Sequence, residues 1–151
     1  MQRDARCGQT GAKGMMRQKP KAAKLVVAAK DGRRVLLVRR RRDGLWTFPG
    51  GKRNGGSESL KECLSREVGE ELPRLRLRKY HLWKKVGAMN GISGRRMSDA
   101  IFFTRGARGS LTIGDRREID KAAWRRPWKL ALTPTSRYIL NRLLSDGLLK
   151  R

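Results

Sequence analysis

The chain has 151 residues, which is the length of one domain, and 38% of them are hydrophobic, enough for a packed core. It carries 38 Lys and Arg residues against 13 Asp and Glu residues, so its net charge is +25 and we expect a polyanionic partner or substrate. The sequence has no apolar run near the ~18 residues of a membrane span, no secretory signal core and too few cysteines for a disulfide framework, which predicts a cytoplasmic protein without a membrane partner.

The first 22 residues form a basic segment with almost no bulky apolar side chains. Asp4 is the single acid in this segment. Its basic residues are Arg3, Arg6, Lys13, Arg17, Lys19 and Lys21. A segment of this composition cannot bury enough apolar surface to order itself. We therefore predict that residues 1–22 are a disordered tail and that residues 23–151 form the folded domain.

Two short apolar runs follow the tail and predict a pair of β-strands. Residues 25–29 and 35–38 are rich in β-branched side chains, and the Asp31-Gly32 step between them is a turn signal. A third short strand is indicated at residues 45–48, directly before a Gly-rich loop. The folded part therefore begins with strands that a tight connection joins.

A helix is predicted after this loop. Ser57 or Ser59 can cap its N-terminus, and the helix runs to about Leu72 because Pro73 stops it. Further short apolar runs predict strands at residues 75–86, 100–104 and 119–124.

A second helix closes the chain. Thr133 is its predicted cap, Pro134 lies in its first turn and Gly147 is its stop. The pattern is a mixture of α and β elements, with one helix among the strands and one after them.

The location of the few acids is the most informative feature of this basic chain. Five of its six glutamates lie within one fourteen-residue stretch, namely Glu58, Glu62, Glu67, Glu70 and Glu71. One interpretation is a solvated helix face on which Glu62 and Arg66 form an ion pair.

Helical geometry favours a different interpretation of the same stretch. At ~100° per residue, an apolar arc is marked by Leu60, Leu64 and Val68. Glu67 and Glu71 fall inside or beside this arc, and Glu70 lies at its edge. Carboxylates that point inward repel one another unless a cation neutralises them. Oxygen ligands at this spacing suit Mg²⁺ or Mn²⁺, so we predict a divalent metal site.

The loop before the helix suggests a phosphate-binding element. Gly50 and Gly51 allow the backbone to approach a ligand closely, and Lys52 adds a positive charge. A flexible Gly-rich turn is the alternative, and only the acidic helix behind the loop favours the phosphate. Arg39 and Arg42, at the end of the second strand, either contact phosphates or belong to a solvated charge run, and both interpretations stay open.

These residues together resemble a known motif. The run Leu-Trp-Thr-Phe-Pro-Gly-Gly at residues 45–51 is followed by Glu58 and by Arg-Glu-Val-Gly-Glu-Glu at residues 66–71. The series resembles the Nudix box of the Nudix hydrolases, G-x5-E-x7-R-E-U-x-E-E-x-G-U, in which U is aliphatic, and the R-E-U-x-E-E core is a specific signal. The resemblance spans about residues 24–144 and implies the α/β fold of the family, an α/β/α sandwich with a mixed sheet.

One departure from the pattern lies before the helix. Six residues separate Gly51 from Glu58 where the pattern has five, so without a gap Ser57 takes the place of the first glutamate. The Gly55-Gly56 pair can absorb the additional residue, and we therefore match Glu58 to the pattern.

A second departure lies after the helix. Pro73 and Arg74 stand where the pattern has Gly and an aliphatic residue. Proline ends a helix but cannot adopt the left-handed conformation of glycine, so we expect the path after Glu71 to differ from that of the family.

The resemblance implies metal-assisted hydrolysis of a diphosphate linkage in a nucleoside diphosphate derivative, such as a nucleoside triphosphate or a dinucleoside polyphosphate. It implies that Glu67, Glu70 and Glu71 hold Mg²⁺ or Mn²⁺, that Arg66 orients these carboxylates and that Glu58 supports them. Metal ions lower the pKa of bound water and neutralise phosphate charge, which agrees with the acids and the basic loop of this sequence.

A later acid often completes such sites in the family. Glu118 is our candidate for a fourth metal ligand because it is the only glutamate outside the box region. Asp99, Asp115 and Asp120 are alternatives, and a plain surface role for Glu118 also stays open.

Nucleic-acid binding is the rival function from another class, and the net charge of +25 favours it. The intact R-E-U-x-E-E run and the lack of a recognisable RNA- or DNA-binding signature favour the enzyme. The two functions combine if the basic surface delivers an RNA 5′ polyphosphate end to the hydrolytic site.

Overall fold

The structure, a computed structural model, describes residues 20–86 and 98–151. Within these ranges the β-strands are β1 (Ala22–Ala28), β2 (Val35–Arg40), β3 (Trp46–Thr47), β4 (Gly50–Lys52), β5 (Arg76–Leu77), β6 (His81–Val86), β7 (Asp99–Arg105), β8 (Ala107–Arg108) and β9 (Ile119–Arg125). The α-helices are α1 (Leu60–Glu71) and α2 (Pro134–Ser145), and a 3₁₀ turn covers Pro127–Lys129. Residues 1–19 of the predicted tail lie outside the described residues, and β1 begins at Ala22.

Seven strands form one mixed sheet in the order β9-β2-β1-β7-β6, with β3 paired to β2 and β4 paired to β1. The central strands β1 and β7 run parallel, from the pair Ala22 and Asp99 to the pair Ala28 and Arg105. The other pairings of this sheet are antiparallel. β1 is buried almost throughout, as expected for a central strand with a helix on each face.

Alternation along β1 divides the core into two layers. Leu25 and Val27 pack in the cluster that includes Leu64 of α1, whereas Val26 and Ala28 pack in the cluster that includes Leu140 of α2. Successive side chains of a strand point to opposite faces, so one strand supplies both cores. The α/β/α sandwich with a mixed sheet is confirmed.

The N-terminus of α1 is fixed by a capping box. Ser59 accepts the backbone N–H of Glu62 at 3.1 Å, and the Glu62 carboxylate accepts the backbone N–H of Ser59 at 2.8 Å. Ser59, and not Ser57, is therefore the cap of the helix.

The C-terminus of α1 is capped by a distant loop. The backbone N–H of Gly114 donates to the carbonyl of Glu71 at 2.9 Å, and that of Asp115 donates to the carbonyl of Glu70 at 3.0 Å. These bonds satisfy carbonyls that a helix leaves unpaired at its end. A left-handed glycine is not needed there, which explains how Pro73 can follow the helix.

The predicted strand-like run at residues 75–86 contains two strands, which belong to different sheets. β5 leaves the main sheet and pairs with β8 in a separate two-stranded sheet, whereas β6 lies at the edge of the main sheet. Two residues are too few for a periodic pattern, so the sequence gives no signal that separates β5 from β6.

The closing helix α2 follows its predicted signals. Thr133 accepts the backbone N–H of Ser136 at 3.2 Å, Pro134 opens the helix and Gly147 has a φ of 74° just after its end. Among the described residues, no helix is long and apolar enough to cross a membrane.

Candidate active site

A cavity of about 460 Å³ opens where β4, the end of β2, the last turns of α1 and the loop before β9 meet. Seven of the predicted site residues line it, namely Arg42, Gly50, Gly51, Lys52, Glu67, Glu71 and Glu118. Residues that the sequence analysis did not assign also line it, among them Lys24, Arg40, Thr47, Asn54 and Arg117. The fold thus brings three carboxylates and a set of basic side chains to one place.

Glu71 lies partly buried against strand β4. Its Oε1 atom accepts the backbone N–H of Gly50 at 3.1 Å. Burial raises the pKa of Glu71 to about 7, the Gly50 N–H and Lys24 oppose this shift, and the charges of Glu67 and Glu118 add to it. The three carboxylates of the cavity are therefore close enough to repel one another.

Glu67 needs a glycine opposite its side chain. A Cβ atom at position 51 would overlap Oε1 of Glu67, and a Cβ atom at position 50 would overlap the carbonyl oxygen of Ala23. Gly50 also has a φ of 134°, which other residues rarely adopt. Gly51 therefore leaves room for the Glu67 carboxylate, and Gly50 allows strand β1 to approach closely. Both glycines also line the cavity.

Arg66 ties the first glutamate of the motif to the site. Its guanidinium donates to both carboxylate oxygens of Glu58, at 2.8 and 3.1 Å, and to Oε2 of Glu67 at 2.6 Å. It also donates to the backbone carbonyl of Lys52 at 3.0 Å. The hydrogen bonds from Arg66 lower the pKa of Glu58 to about 2, and the hydrogen bond from the backbone N–H of Asn54 adds to this shift.

The loop between β4 and α1 accommodates the additional residue while Glu58 keeps these contacts. Gly55 adopts a left-handed φ of 75°, and Arg53 donates to the carbonyl of Gly56 at 3.2 Å. The Asn54 N–H donates to Glu58 at 2.7 Å. Ser57 is exposed, so this geometry favours Glu58 as the match to the motif.

Glu70 lies outside the cavity. Its side chain is 55% exposed, and its carboxylate is 3.6 Å from the Arg66 guanidinium. It lies beside Glu67, whose pKa is raised by burial, lowered by Arg66 and raised again by Glu70. The three glutamates of the motif core thus divide into two that line the cavity and one at its outer margin.

Backbone hydrogen bonds hold Glu118 at the cavity. The Arg41 N–H donates to the carbonyl of Glu118 at 2.9 Å, and the Arg41 side chain donates to the carbonyl of Arg116 at 2.6 Å. The backbone N–H of Asp115, in the same loop, caps α1. The helix cap and Glu118 therefore belong to one segment of the chain. The sequence could not signal this contact because it joins positions far apart in the chain.

Arg39 does not line the cavity. Its guanidinium donates two hydrogen bonds of 2.9 Å to the carboxylate of Asp120, which is one of the alternatives to Glu118. Because the hydrogen-bonding groups of Arg39 and Asp120 are paired with each other, we no longer propose that Arg39 contacts the substrate. Asp99 is partly buried, with its pKa raised by burial and lowered by Lys24, and it too is not among the described residues that line the cavity.

The carboxylates of the cavity fit a hard divalent cation in charge and donor type. Glu67, Glu71 and Glu118 offer only oxygen atoms, and their mutual repulsion is relieved by a cation. Across residues 20–86 and 98–151, no three acidic, thiol or imidazole groups already converge as a ligand cluster. Glutamate side chains that repel one another are expected to stay apart without a cation.

Lys24 is the clearest residue that the sequence analysis missed. It lies in the otherwise apolar strand β1, lines the cavity and lowers the pKa of both Glu71 and Asp99. A lysine within a buried strand is unusual, and this was a signal available in the sequence.

Comparisons with known proteins agree with this geometry. A family model described as the NUDIX domain matches residues 18–143. The chain therefore belongs to the Nudix family. No curated protein matches it.

Solved structures share the fold at low sequence identity. The MutT Nudix hydrolase from Burkholderia pseudomallei is 22% identical with a TM-score of 0.62, over 80% of this chain and 98% of that one. The MutT protein from Bacillus halodurans is 22% identical with a TM-score of 0.63, over 83% and 82%. The Nudix domain of NrtR from Shewanella oneidensis, in complex with ADP ribose, is 15% identical with a TM-score of 0.70, over 92% and 99%.

Proposed function

We propose that the protein hydrolyses a diphosphate linkage in a nucleoside diphosphate derivative, with the help of Mg²⁺ or Mn²⁺. The observation that carries this proposal is the cavity in which Glu67, Glu71 and Glu118 face Lys24, Arg42 and Lys52. Carboxylates suit a divalent cation, and the basic side chains suit the phosphates of the substrate. The NrtR neighbour, in complex with ADP ribose, supports a substrate of this class.

We assign the metal ligands to the acids of the site. Glu67, Glu71 and Glu118 would hold the cation from within the cavity, and Glu70 would contribute from the margin beside Glu67. When bound, the cation lowers the pKa of a coordinated water and neutralises phosphate charge.

The other residues position these groups. Arg66 orients Glu58 and Glu67, and the Gly50 N–H fixes one oxygen of Glu71. Arg42 and Lys52 hold the phosphates, and the backbone at Gly50 and Gly51 lines the same cavity. In-line attack of water on a phosphate requires no covalent bond to the protein. Catalysis therefore depends on the positioning of the reacting groups and on stabilisation of their charge.

Substitution of Glu70 tests the metal site. We expect Glu70→Gln to reduce kcat by about 100-fold or more while the protein stays folded, because an isosteric amide removes a negative charge but not volume. Glu62→Gln is the matched control, since Glu62 lies on the same helix and glutamine also completes a capping box.

The assay is release of phosphate or pyrophosphate from a panel of nucleotides with Mg²⁺, repeated in excess EDTA. Full activity of the native protein in EDTA would show that the metal assignment is wrong, whereas full activity of Glu70→Gln alone would remove Glu70 from the proposed ligands.

The net charge of +25 favours a second candidate function, capture of nucleic acid. In this version the protein holds RNA on its basic surface and acts on the 5′ polyphosphate end. A filter-binding measurement with single-stranded RNA at low salt tests it, and no detectable binding would contradict it.

A further inference from the structure

The cavity holds more positive charge than its own carboxylates require. Five basic side chains line it, namely Lys24, Arg40, Arg42, Lys52 and Arg117. Three carboxylates of the described residues line the same cavity, those of Glu67, Glu71 and Glu118, and the proposed function assigns them to the metal.

Two of the five basic residues have carboxylate partners outside the cavity. Arg40 pairs with Asp43, and Arg117 lies 3.5 Å from Asp115. For Lys24, Arg42 and Lys52, no ion pair within 4.0 Å occurs among the described residues. Three cations therefore remain available for the charge of a ligand.

No aromatic side chain lines the cavity among the residues that the structure describes. The four Trp, two Tyr and three Phe residues of the chain all lie in the described ranges, and none of them lines the cavity. The aromatic rings on either side of Thr47, those of Trp46 and Phe48, are buried in the core on the α2 side. A base in this cavity therefore lacks the aromatic contact that commonly holds it.

Uncharged side chains that could form hydrogen bonds with the edge of a base are also few in the described lining. The hydroxyl of Thr47 is 3.0 Å from that of Ser136 and is thereby engaged. Within residues 20–86 and 98–151, Asn54, on the exposed loop, is the only other uncharged side chain in the lining with hydrogen-bonding groups. The polar side chains of the described lining are therefore mostly charged.

We propose that the substrate carries a linear chain of three or more phosphoryl groups and is recognised through that chain, with its base left unread. This inference rests on the proposed function and narrows its substrate class. Each additional phosphate gains a contact with one of the available cations, whereas a change of base changes no contact in the cavity.

A panel in which base and phosphate number vary separately tests the inference. ADP ribose, ATP and diadenosine tetraphosphate keep adenine and increase the number of phosphates, whereas ATP, GTP, CTP and UTP keep the triphosphate and change the base. We expect kcat/KM with Mg²⁺ to rise about tenfold or more from ADP ribose to ATP, the effect of one charge-assisted hydrogen bond, and to differ by less than about tenfold among the four triphosphates.

Variants assign the preference to the cavity. Arg42→Ala and Lys52→Ala should lower the ratio of kcat/KM for ATP to that for ADP ribose by about tenfold each. Lys129→Ala is the control, because Lys129 is exposed and does not line the cavity, and its ratio should equal that of the native protein.

The outcomes separate this inference from the proposed function. Turnover that favours ADP ribose, or that differs by more than about tenfold among the four bases, overturns the inference and leaves the hydrolase assignment in place. An unchanged ratio in Arg42→Ala and Lys52→Ala also overturns it. Absence of turnover with every compound of the panel contradicts the proposed function itself.

Discussion

Glu58 and Glu71 belong to one motif, yet their surroundings shift their pKa values in opposite directions. Hydrogen bonds from Arg66 and from the Asn54 N–H lower the pKa of Glu58 to about 2. Burial raises the pKa of Glu71 to about 7. Glu58 is therefore a permanent anion that fixes Arg66, whereas Glu71 titrates near neutral pH in the metal-free protein.

The raised pKa of Glu71 predicts a pH-dependent stability. The unfolded chain releases this proton near a pKa of 4.5, whereas the folded protein holds it up to a pKa of about 7. Stability of the metal-free protein should therefore fall as pH rises through this interval, by at most ~3 kcal/mol from this group. Glu71→Gln removes the charge, so its melting temperature should exceed that of the native protein at about pH 8 and match it at about pH 5.

Thermal unfolding in EDTA at the two pH values measures this difference. Glu62→Gln serves as the control because Glu62 is exposed and lies outside the cavity. Adding Mg²⁺ at about pH 8 should stabilise the native protein more than Glu71→Gln, since binding to the folded state alone raises stability. A melting temperature of Glu71→Gln below that of the native protein at about pH 8 would contradict the prediction.

The contacts of Glu58 predict which residue of the loop supports the site. Glu58→Gln should lower kcat/KM about tenfold, because it weakens the charge-assisted bonds that hold Arg66 against Glu67. Ser57→Ala should leave kcat/KM unchanged, since Ser57 is exposed. Both values are measured at saturating Mg²⁺, and a larger loss in Ser57→Ala would show that the motif is aligned one residue earlier.

At the scale of elements, the loop before β9 performs two tasks at once. Its backbone caps the C-terminus of α1 through Gly114 and Asp115, and it carries Glu118 to the cavity. The helix α1 supplies Glu67 and Glu71. The hydrogen bonds that cap this helix therefore also fix the position of Glu118 relative to those two glutamates.

Gly114→Ala tests this connection. A Cβ atom at position 114 would overlap the carbonyl oxygen of Glu70, so the loop must move away from α1. We expect a loss of about 1–3 kcal/mol in the free energy of unfolding, as for other overpacked sites, together with a higher Mg²⁺ concentration for half-maximal activity. Gly56→Ala is the matched control because a Cβ atom there meets nothing within 4 Å.

Urea unfolding and a Mg²⁺ titration of the rate supply the two measurements. If Gly114→Ala kept the native Mg²⁺ dependence while losing stability, the loop would cap the helix without positioning Glu118.

The elements that the sequence predicts well are those with a repeating pattern or a local cap. β1, β2 and α2 follow from apolar runs and from signals such as Thr133, and the acids of α1 follow from helical spacing. β5 and β8 have two residues each and no period, so only their pairing defines them. Lys24 is noticeable in the sequence as a charge within an apolar run, and Glu118 is a candidate from the family resemblance. That both side chains line one cavity depends on strand pairing and on a distant loop, which local sequence does not encode.

At the scale of the whole molecule, the acids are too few to balance the charge. Several of them are paired with basic side chains, as in Asp31 with Arg34, Asp120 with Arg39, Asp146 with Lys84 and Glu58 with Arg66. With 38 basic residues and 13 acids, most basic side chains cannot have a carboxylate partner anywhere in the chain. This excess attracts polyanions and is screened by salt.

The basic N-terminal segment should contribute to the capture of polyanions and not to catalysis. Residues 1–14 contain Arg3, Arg6 and Lys13 against Asp4, and the lining of the cavity, as far as the structure describes the chain, comes from later residues. Their deletion should leave kcat for a nucleotide nearly unchanged and weaken binding of single-stranded RNA at low salt. The slope of log Kd against log salt concentration should fall by about 2, because each phosphate contact contributes about 0.7. A full-length variant with Gln at the three basic positions should reproduce the loss if charge is the cause, whereas a large decrease in nucleotide kcat on deletion would place the segment in the catalytic machinery.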